Sequence, residues 1–225
     1  MPLLLVDLDD TLVQRAVVFE QWVADFADRH RLAPATVDWL REHDAGGRRD
    51  RIAFFADVAE RCGLDLDPVE QLDRWRTDFA ARYRLEPATV AALHAARAAG
   101  WKIGVVTNGR ERVQLAKLDA CAIYPVLDAV CISEEIGAAK PDLRMFAAAA
   151  NRARDGLAGG WMIGDNPEAD IAGGRNAGLR TAWIRMGRRW TGPGPEPDVT
   201  ADTFAEAVAA VLARGPRTGR PQARR

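Results

Sequence analysis

The chain predicts an α/β fold: a parallel sheet with helices on both faces, interrupted by an all-helical insert. Three observations carry that reading. Leu3-Leu4-Leu5-Val6 is an unbroken apolar run, the pattern of a strand buried on both faces. From Ala88 onward, strand and helix signals alternate, the order that lays helices over a parallel sheet. Between these regions, residues 14–86 show helical spacing and no strand pattern.

The first strand, 3–7, runs into three acidic residues, Asp7, Asp9 and Asp10. The insert then reads as about four helices. Their apolar positions are Phe19, Trp22, Val23 and Phe26; Val37 and Leu40; Ile52, Phe55, Val58 and Ala59; and Leu72, Trp75 and Phe79. Pro34, Gly46-Gly47 and Asp67-Pro68 punctuate them. A helix over 88–99 stops at Gly100, and a strand follows over 102–106. A helix near 110–120 leads to a strand near 126–132. A helix over 142–154 starts after Pro141 and leads to a strand over 160–164. A helix over 168–177 stops at Gly178, before a strand over 179–185. Gly187 to Pro195 is a loop by composition, and a last amphipathic helix spans about 203–213. The expected domains are a core of 1–13 and 87–214, an insert of 14–86, and a disordered tail of 215–225.

Composition narrows the function classes. An apolar fraction of 48% with 28% charged residues is ordinary for a globular chain of 225 residues. A net charge of −1 gives no drive towards nucleic acid or a membrane surface. No apolar stretch is long enough to span a bilayer. The N-terminus lacks the basic region of a secretory signal. Cys62, Cys121 and Cys131 are widely spaced in apolar surroundings and read as reduced core thiols. The expectation is a cytoplasmic protein, monomer or homodimer, with no nucleic-acid or membrane partner.

The chemistry-bearing residues fall at strand ends. Asp7 and Asp9 are two apart and point the same way along an extended chain. Two like charges so placed need a cation, a shared proton or constant water. Ile103-Gly104-Val105-Val106 ends in Thr107, Asn108 and Gly109. Ala139-Lys140-Pro141-Asp142 holds one of only three lysines, against a large excess of arginine. A lysine kept in such a sequence suits a compact point charge that a planar guanidinium does not reproduce. Trp161-Met162-Ile163-Gly164 runs into Asp165 and Asp170, oxygen ligands suited to a hard cation.

In order, these four segments resemble the motifs of the haloacid dehalogenase-like hydrolases, in their phosphatase branch, from Leu3 to about Trp183. Thr107-Asn108-Gly109 with Gln114, Lys117 and Leu118, and Ser133 to Gly137 before Lys140-Pro141, look like the branch holding sialic-acid 9-phosphate phosphatases and pyrimidine nucleotidases. The resemblance implies a Rossmann-like parallel core, with the insert acting as a mobile cap. It also implies hydrolysis of a small phosphate monoester, such as a sugar phosphate or nucleotide-like metabolite.

Phosphate esters need a nucleophile, positive charge around the phosphoryl oxygens, and a proton for the leaving oxygen. Asp7 is the expected nucleophile, emerging first from the rigid strand and able to form an aspartyl-phosphate. Asp9 is the expected general acid and then base. Mg²⁺ fits the oxygen-only donor set. By resemblance, Asp7, the Asp9 main-chain carbonyl and Asp165 bind it, with Asp170 acting through water. Thr107 and the amides of Asn108 and Gly109 would hold phosphoryl oxygens, and Lys140 would stand between Asp7 and the phosphate.

Asp9 favours phosphate esters over carbon–halogen bonds, which leave no alkoxide to protonate. The phosphonate-cleaving branch of the resembled family uses a cap lysine to form a Schiff base, and residues 14–86 hold no lysine, which excludes that chemistry unless another group replaces it. A sugar phosphomutase and a non-catalytic phosphometabolite-binding protein remain as alternatives. The arginine-rich loop His43 to Arg51 is the candidate substrate reader, with Arg49 its best contact. His30, His43 and His94 read as surface or boundary residues, and Trp22, Trp39 and Trp75 as core.

Overall fold

The computed structural model describes residues 1–47 and 49–216. Arg48 of the candidate reader loop and residues 217–225 of the expected tail lie outside the described residues. Contacts divide the chain into two units, Gln14–Tyr83 and the remainder, Met1–Val13 with the chain from Arg84 onward.

The larger unit is built on six parallel strands: β1 (Leu3–Val6), β2 (Lys102–Thr107), β3 (Ala129–Ile132), β4 (Trp161–Gly164), β5 (Arg180–Ile184) and β6 (Val199–Ala201), in the order β3-β2-β1-β4-β5-β6. The four β1 residues are wholly buried, as a central strand covered on both faces requires. Strand order reverses between β1 and β4. Open α/β sheets hold ligands outside the carboxyl ends of their strands at such a point. The amide of Asp7 donates to the carbonyl of Ile163 at 2.9 Å and carries the β1–β4 ladder to that edge.

The helices of this unit are α5 (Pro87–Ala98), α6 (Glu111–Ala120), α7 (Ser133–Ile136), α8 (Leu143–Arg152), α9 (Gly173–Asn176) and α10 (Phe204–Arg214). One core layer joins Leu3, Leu5, Val106, Cys131 and Met162 of the sheet to Met145, Phe146 and Ala149 of α8. At Gly174 an added Cβ would lie 2.7 Å from the Cβ of Met162, so only glycine allows α9 this close to the sheet. A capping box closes the start of α10, with Thr203 and Glu206 each accepting from the other's backbone region.

Two expectations are corrected here, and one strand is added. Residues 199–201, to which the sequence assigned no element, form a sixth strand; three residues are too few for a period to show. The strand expected from 126 begins at Ala129, because Tyr124–Val126, with Pro125 inside it, closes a helical turn first. The helix expected over 168–177 begins as a widened π turn, Pro167–Ala172, and becomes α-helical only at Gly173.

The smaller unit consists of α1 (Arg15–His30), α2 (Pro34–Asp44), α3 (Arg51–Cys62) and α4 (Pro68–Ala80). Its interior is aromatic: Phe19, Trp22, Phe26, Phe54, Phe55, Trp75 and Phe79 are buried and stack or meet edge to face. Ile52 is 46% exposed, and Phe54, two residues on, takes the inward place on α3. Asp44 is buried and neutralised from two sides, by Arg15 at 3.0 Å and Arg51 at 2.5 Å. Burial draws the Arg51 guanidinium below its usual range, and Asp44 opposes that shift.

Candidate active site

The carboxyl edge of the sheet gathers the predicted residues from β1, β2, β4 and the loops beyond them. Lys140 is 5% exposed and Asp170 1% exposed. The Lys140 ammonium donates to Asp7 Oδ1 at 2.6 Å and to Asp170 Oδ1 at 2.6 Å. The second oxygen of Asp170 accepts from the amide of Asn166 at 3.0 Å. Asn166 caps the π turn by accepting from the amides of Glu168 and Ala169, so the loop that places Asp170 is itself fixed. Asn108 pins the Lys140 backbone to the end of β2: its Nδ2 donates to the Lys140 carbonyl at 3.0 Å, and its Oδ1 accepts from the Lys140 amide at 2.8 Å.

Asp7, Asp165 and Asp170 each present an oxygen within 4.8 Å of the others. Burial pushes the Asp7 carboxyl well above the usual range; Lys140 opposes the shift, and Asp170 adds to it. Burial and then Asp170 push Asp165 up to about 7, with Arg188 opposing. Burial alone would weaken the Lys140 ammonium, but Asp170 and Asp7 outweigh it and raise its pKa. Burial therefore disfavours the charged forms of Asp7 and Asp165, and Lys140 and Arg188 offset it only in part. An all-oxygen set of this kind fits a small, hard divalent cation.

Asp9 is held elsewhere. Lys117 Nζ donates to its two oxygens at 2.6 and 2.7 Å, and Gln114 Nε2 donates to Oδ2 at 3.0 Å. Gln114 also donates to Thr107 Oγ1 at 2.5 Å. Two neighbouring acids thus have different partners, which is how separate roles for paired carboxylates arise. Gly109 has a φ of 152°, and its amide donates to Ser133 Oγ at 2.9 Å. Arg49 belongs to the Gln14–Tyr83 unit, where its guanidinium is bonded to Asp57; His43 pairs with the same carboxylate at 2.7 Å. His43 is thereby a structural partner, while His94 is exposed.

Sequence reasoning gave no role to three side chains. Gln114 and Lys117 were visible in a motif, three apart on α6, without a stated partner. Arg188 bonds Asp165 at 3.1 Å from a loop that carries no local signal for it.

A profile described as hydrolase, haloacid dehalogenase-like hydrolase, matches residues 1–178. The chain belongs to the haloacid dehalogenase-like hydrolases. Among members of that family, phosphoserine phosphatase from Thermus thermophilus is 32% identical over 166 residues, covering 74% of this chain and 66% of that protein. Pyrimidine 5'-nucleotidase YjjG from Escherichia coli is 36% identical over 153 residues, 68% of this chain and 67% of that protein. The matched stretch thus spans about two thirds of each relative. The structure of the haloacid dehalogenase-like hydrolase YfnB from Bacillus subtilis, bound to magnesium, superposes with a TM-score of 0.75 at 20% identity, covering 93% of this chain and 97% of that one. At that identity the likeness establishes the fold. Among the described residues, no helix is long and apolar enough to cross a membrane.

Proposed function

We propose that this hydrolase removes phosphate from a small phosphorylated metabolite, with Asp7 as nucleophile and magnesium as cofactor. The observation that carries the reading is the division of labour between neighbouring acids: Asp7 against the Lys140 ammonium in the buried cluster, Asp9 held apart by Lys117 and Gln114. The phosphatase and nucleotidase named above support a phosphate monoester as substrate.

An oxygen of Asp7 attacks phosphorus, and the bond to the leaving oxygen breaks. Asp9, which must first give up part of its Lys117 contact and take up a proton, passes that proton to the leaving oxygen, so an alcohol departs rather than an alkoxide. Asp9, now a carboxylate, takes a proton from water as the water attacks the aspartyl-phosphate, which releases phosphate and restores Asp7. Lys140 keeps positive charge beside Asp7 throughout, and Thr107 with the Asn108 amide receives phosphoryl oxygens; the Gly109 amide, expected to join them, is taken by Ser133 Oγ instead. Asp7, the Asp9 carbonyl and Asp165 would hold magnesium, with Asp170 acting through water; when bound, the ion supplies positive charge where the phosphoryl group gains negative charge.

The helical unit, residues 14–83, serves as the cap that reads the substrate, through the connection between α2 and α3 and its Arg49; His43 and Asp44 of the expected 43–51 loop end α2, and Arg51 begins α3. Three free thiols support a reducing, cytoplasmic setting. Asp7→Asn keeps the size of the side chain and loses the nucleophile. Phosphate release from an aryl phosphate should fall to background while the circular dichroism spectrum is unchanged. Near-parent turnover by folded Asp7→Asn would end the aspartyl-phosphate route.

A further inference from the structure

We propose that Arg188 is a positioning residue that makes the acidic site discriminate against calcium, by leaving Asp165 a single oxygen for a cation. The inference rests on the magnesium reading above and deepens it.

Arg188 is 44% exposed, yet its guanidinium is fixed. Nη2 donates to the Asp165 carbonyl at 2.9 Å, to Asp165 Oδ2 at 3.1 Å and to the Ile184 carbonyl at 3.1 Å. Nε donates to the Arg185 carbonyl at 2.9 Å, and the guanidinium lies 5.6 Å from the Trp183 ring centre. The Trp183 indole N–H donates to the same Asp165 carbonyl at 2.8 Å. An isolated surface ion pair holds two mobile side chains and contributes little. Here three backbone carbonyls and an indole hold the arginine, and Asp165 Oδ2 is committed to it.

The other two carboxylates are also limited, Asp7 at one oxygen and Asp170 at both. Asp7 has one oxygen on Lys140, and Asp170 has one on Lys140 and one on the Asn166 amide. Calcium takes six to eight oxygens and commonly uses both oxygens of a carboxylate, whereas magnesium binds in a tight octahedron through single carboxylate oxygens and water. A cluster in which every carboxylate has an oxygen tied to a protein donor therefore suits magnesium. Arg188 is the device that imposes this on Asp165.

The test is calorimetric titration of Mg²⁺ alone and Ca²⁺ alone into the full chain, its Arg188→Gln variant and its Arg188→Met variant. Both replacements remove a positive charge, which strengthens binding of either divalent ion; the ratio of the two Kd values cancels that effect. With the second oxygen of Asp165 released, the ratio of calcium Kd to magnesium Kd should fall at least about tenfold, in line with losing a partner of a metal ligand. If the parent binds magnesium and the ratio is unchanged in a folded variant, the positioning role fails alone. If the parent binds neither ion, the magnesium reading fails and this inference with it. Loss of folding in both variants, seen in metal-free melts, would make Arg188 a structural brace and overturn the proposal.

Discussion

Lys117 places its ammonium on both oxygens of Asp9, and Gln114 ties the same carboxylate to Thr107. Asp9 is thereby aimed by α6 rather than by its own loop. A residue that aims a general acid matters most when the leaving group is poor. For Lys117→Met, kcat/KM for an alkyl phosphate should fall about a hundredfold, the lower end of what acid–base catalysis contributes. The loss for an activated aryl phosphate should be less than about tenfold, because a phenolate needs little help in leaving. Lys117→Arg, which keeps a donor of similar reach, should recover part of the alkyl rate. Equal losses on both substrates would make Lys117 a structural counter-ion. At this scale, much of the site could be read from residue type and place. Asp7, Thr107 and Asp165 stand just where the apolar runs of β1, β2 and β4 stop, Asp9 follows two residues after Asp7, and lysine is scarce enough for Lys140, in the turn before α8, to be noticed. The partners could not be read. Gln114 and Lys117 lie three apart on a helix, as any surface pair does, and Arg188 is one arginine among many. Its meeting with Asp165 is a product of tertiary folding, to which no local spacing testifies.

At the scale of elements, the ends of strands do the positioning. Gly164 closes β4, and a Cβ there would lie 2.2 Å from Asp170 Oδ2 and 2.5 Å from Asp170 Cβ. Asp170 has little room to retreat, being 1% exposed and bonded to Lys140 and the Asn166 amide. Gly164→Ala should therefore displace Asp170, and with it the ammonium that faces Asp7. Misplacement on the order of 1 Å can cost about a hundredfold in rate, so kcat should fall by about that much while the circular dichroism spectrum remains that of the parent. A rate within about threefold of the parent would show that the π turn absorbs the methyl group, and that Asp170 is loosely held. The same turn shows where element prediction stops. Apolar periodicity identified a helix over 168–177, but the widening that brings Asp170 round to Lys140 adds no periodic signal. A π turn of this kind is common at functional sites. The strands of the central sheet were legible because parallel strands buried on both faces are apolar throughout. β6 was not, since its three residues include Thr200, which is exposed.

For the whole molecule, the residues proposed for chemistry and the residues proposed for recognition fall in different units of the chain. Every carboxylate of the acidic cluster belongs to the sheet unit, whereas Arg49, His43 and Asp57 belong to the helical unit. Hydrogen bonds from His43 and then Arg49 hold the Asp57 carboxyl below its usual range. Because the folded pKa is depressed, this pairing stabilises the fold above the unfolded value of about 3.9, and the contribution is lost as pH falls through the folded value. Asp57→Asn should thus lower stability at neutral pH and flatten its decline below about pH 4, read by denaturant unfolding across pH. The catalytic comparison separates bracing from recognition. If Asp57 orients Arg49 towards a charged group on the substrate, Arg49→Ala should lower kcat/KM for the preferred metabolite by about tenfold to a hundredfold, the range for a hydrogen bond to a charged group. Asp57→Asn should lower it less, since the guanidinium remains and only its aim is lost. Neither change should alter hydrolysis of a small aryl phosphate that lacks the distal group, because remote binding energy acts only on substrates that reach it. The decisive quantity is the ratio of kcat/KM for the two substrates, measured after a panel of sugar phosphates and nucleoside monophosphates has supplied the metabolite. A ratio equal to the parent's in Arg49→Ala would reduce the Arg49–Asp57–His43 group to a brace between α2 and α3, and recognition would then fall to the helices of the same unit.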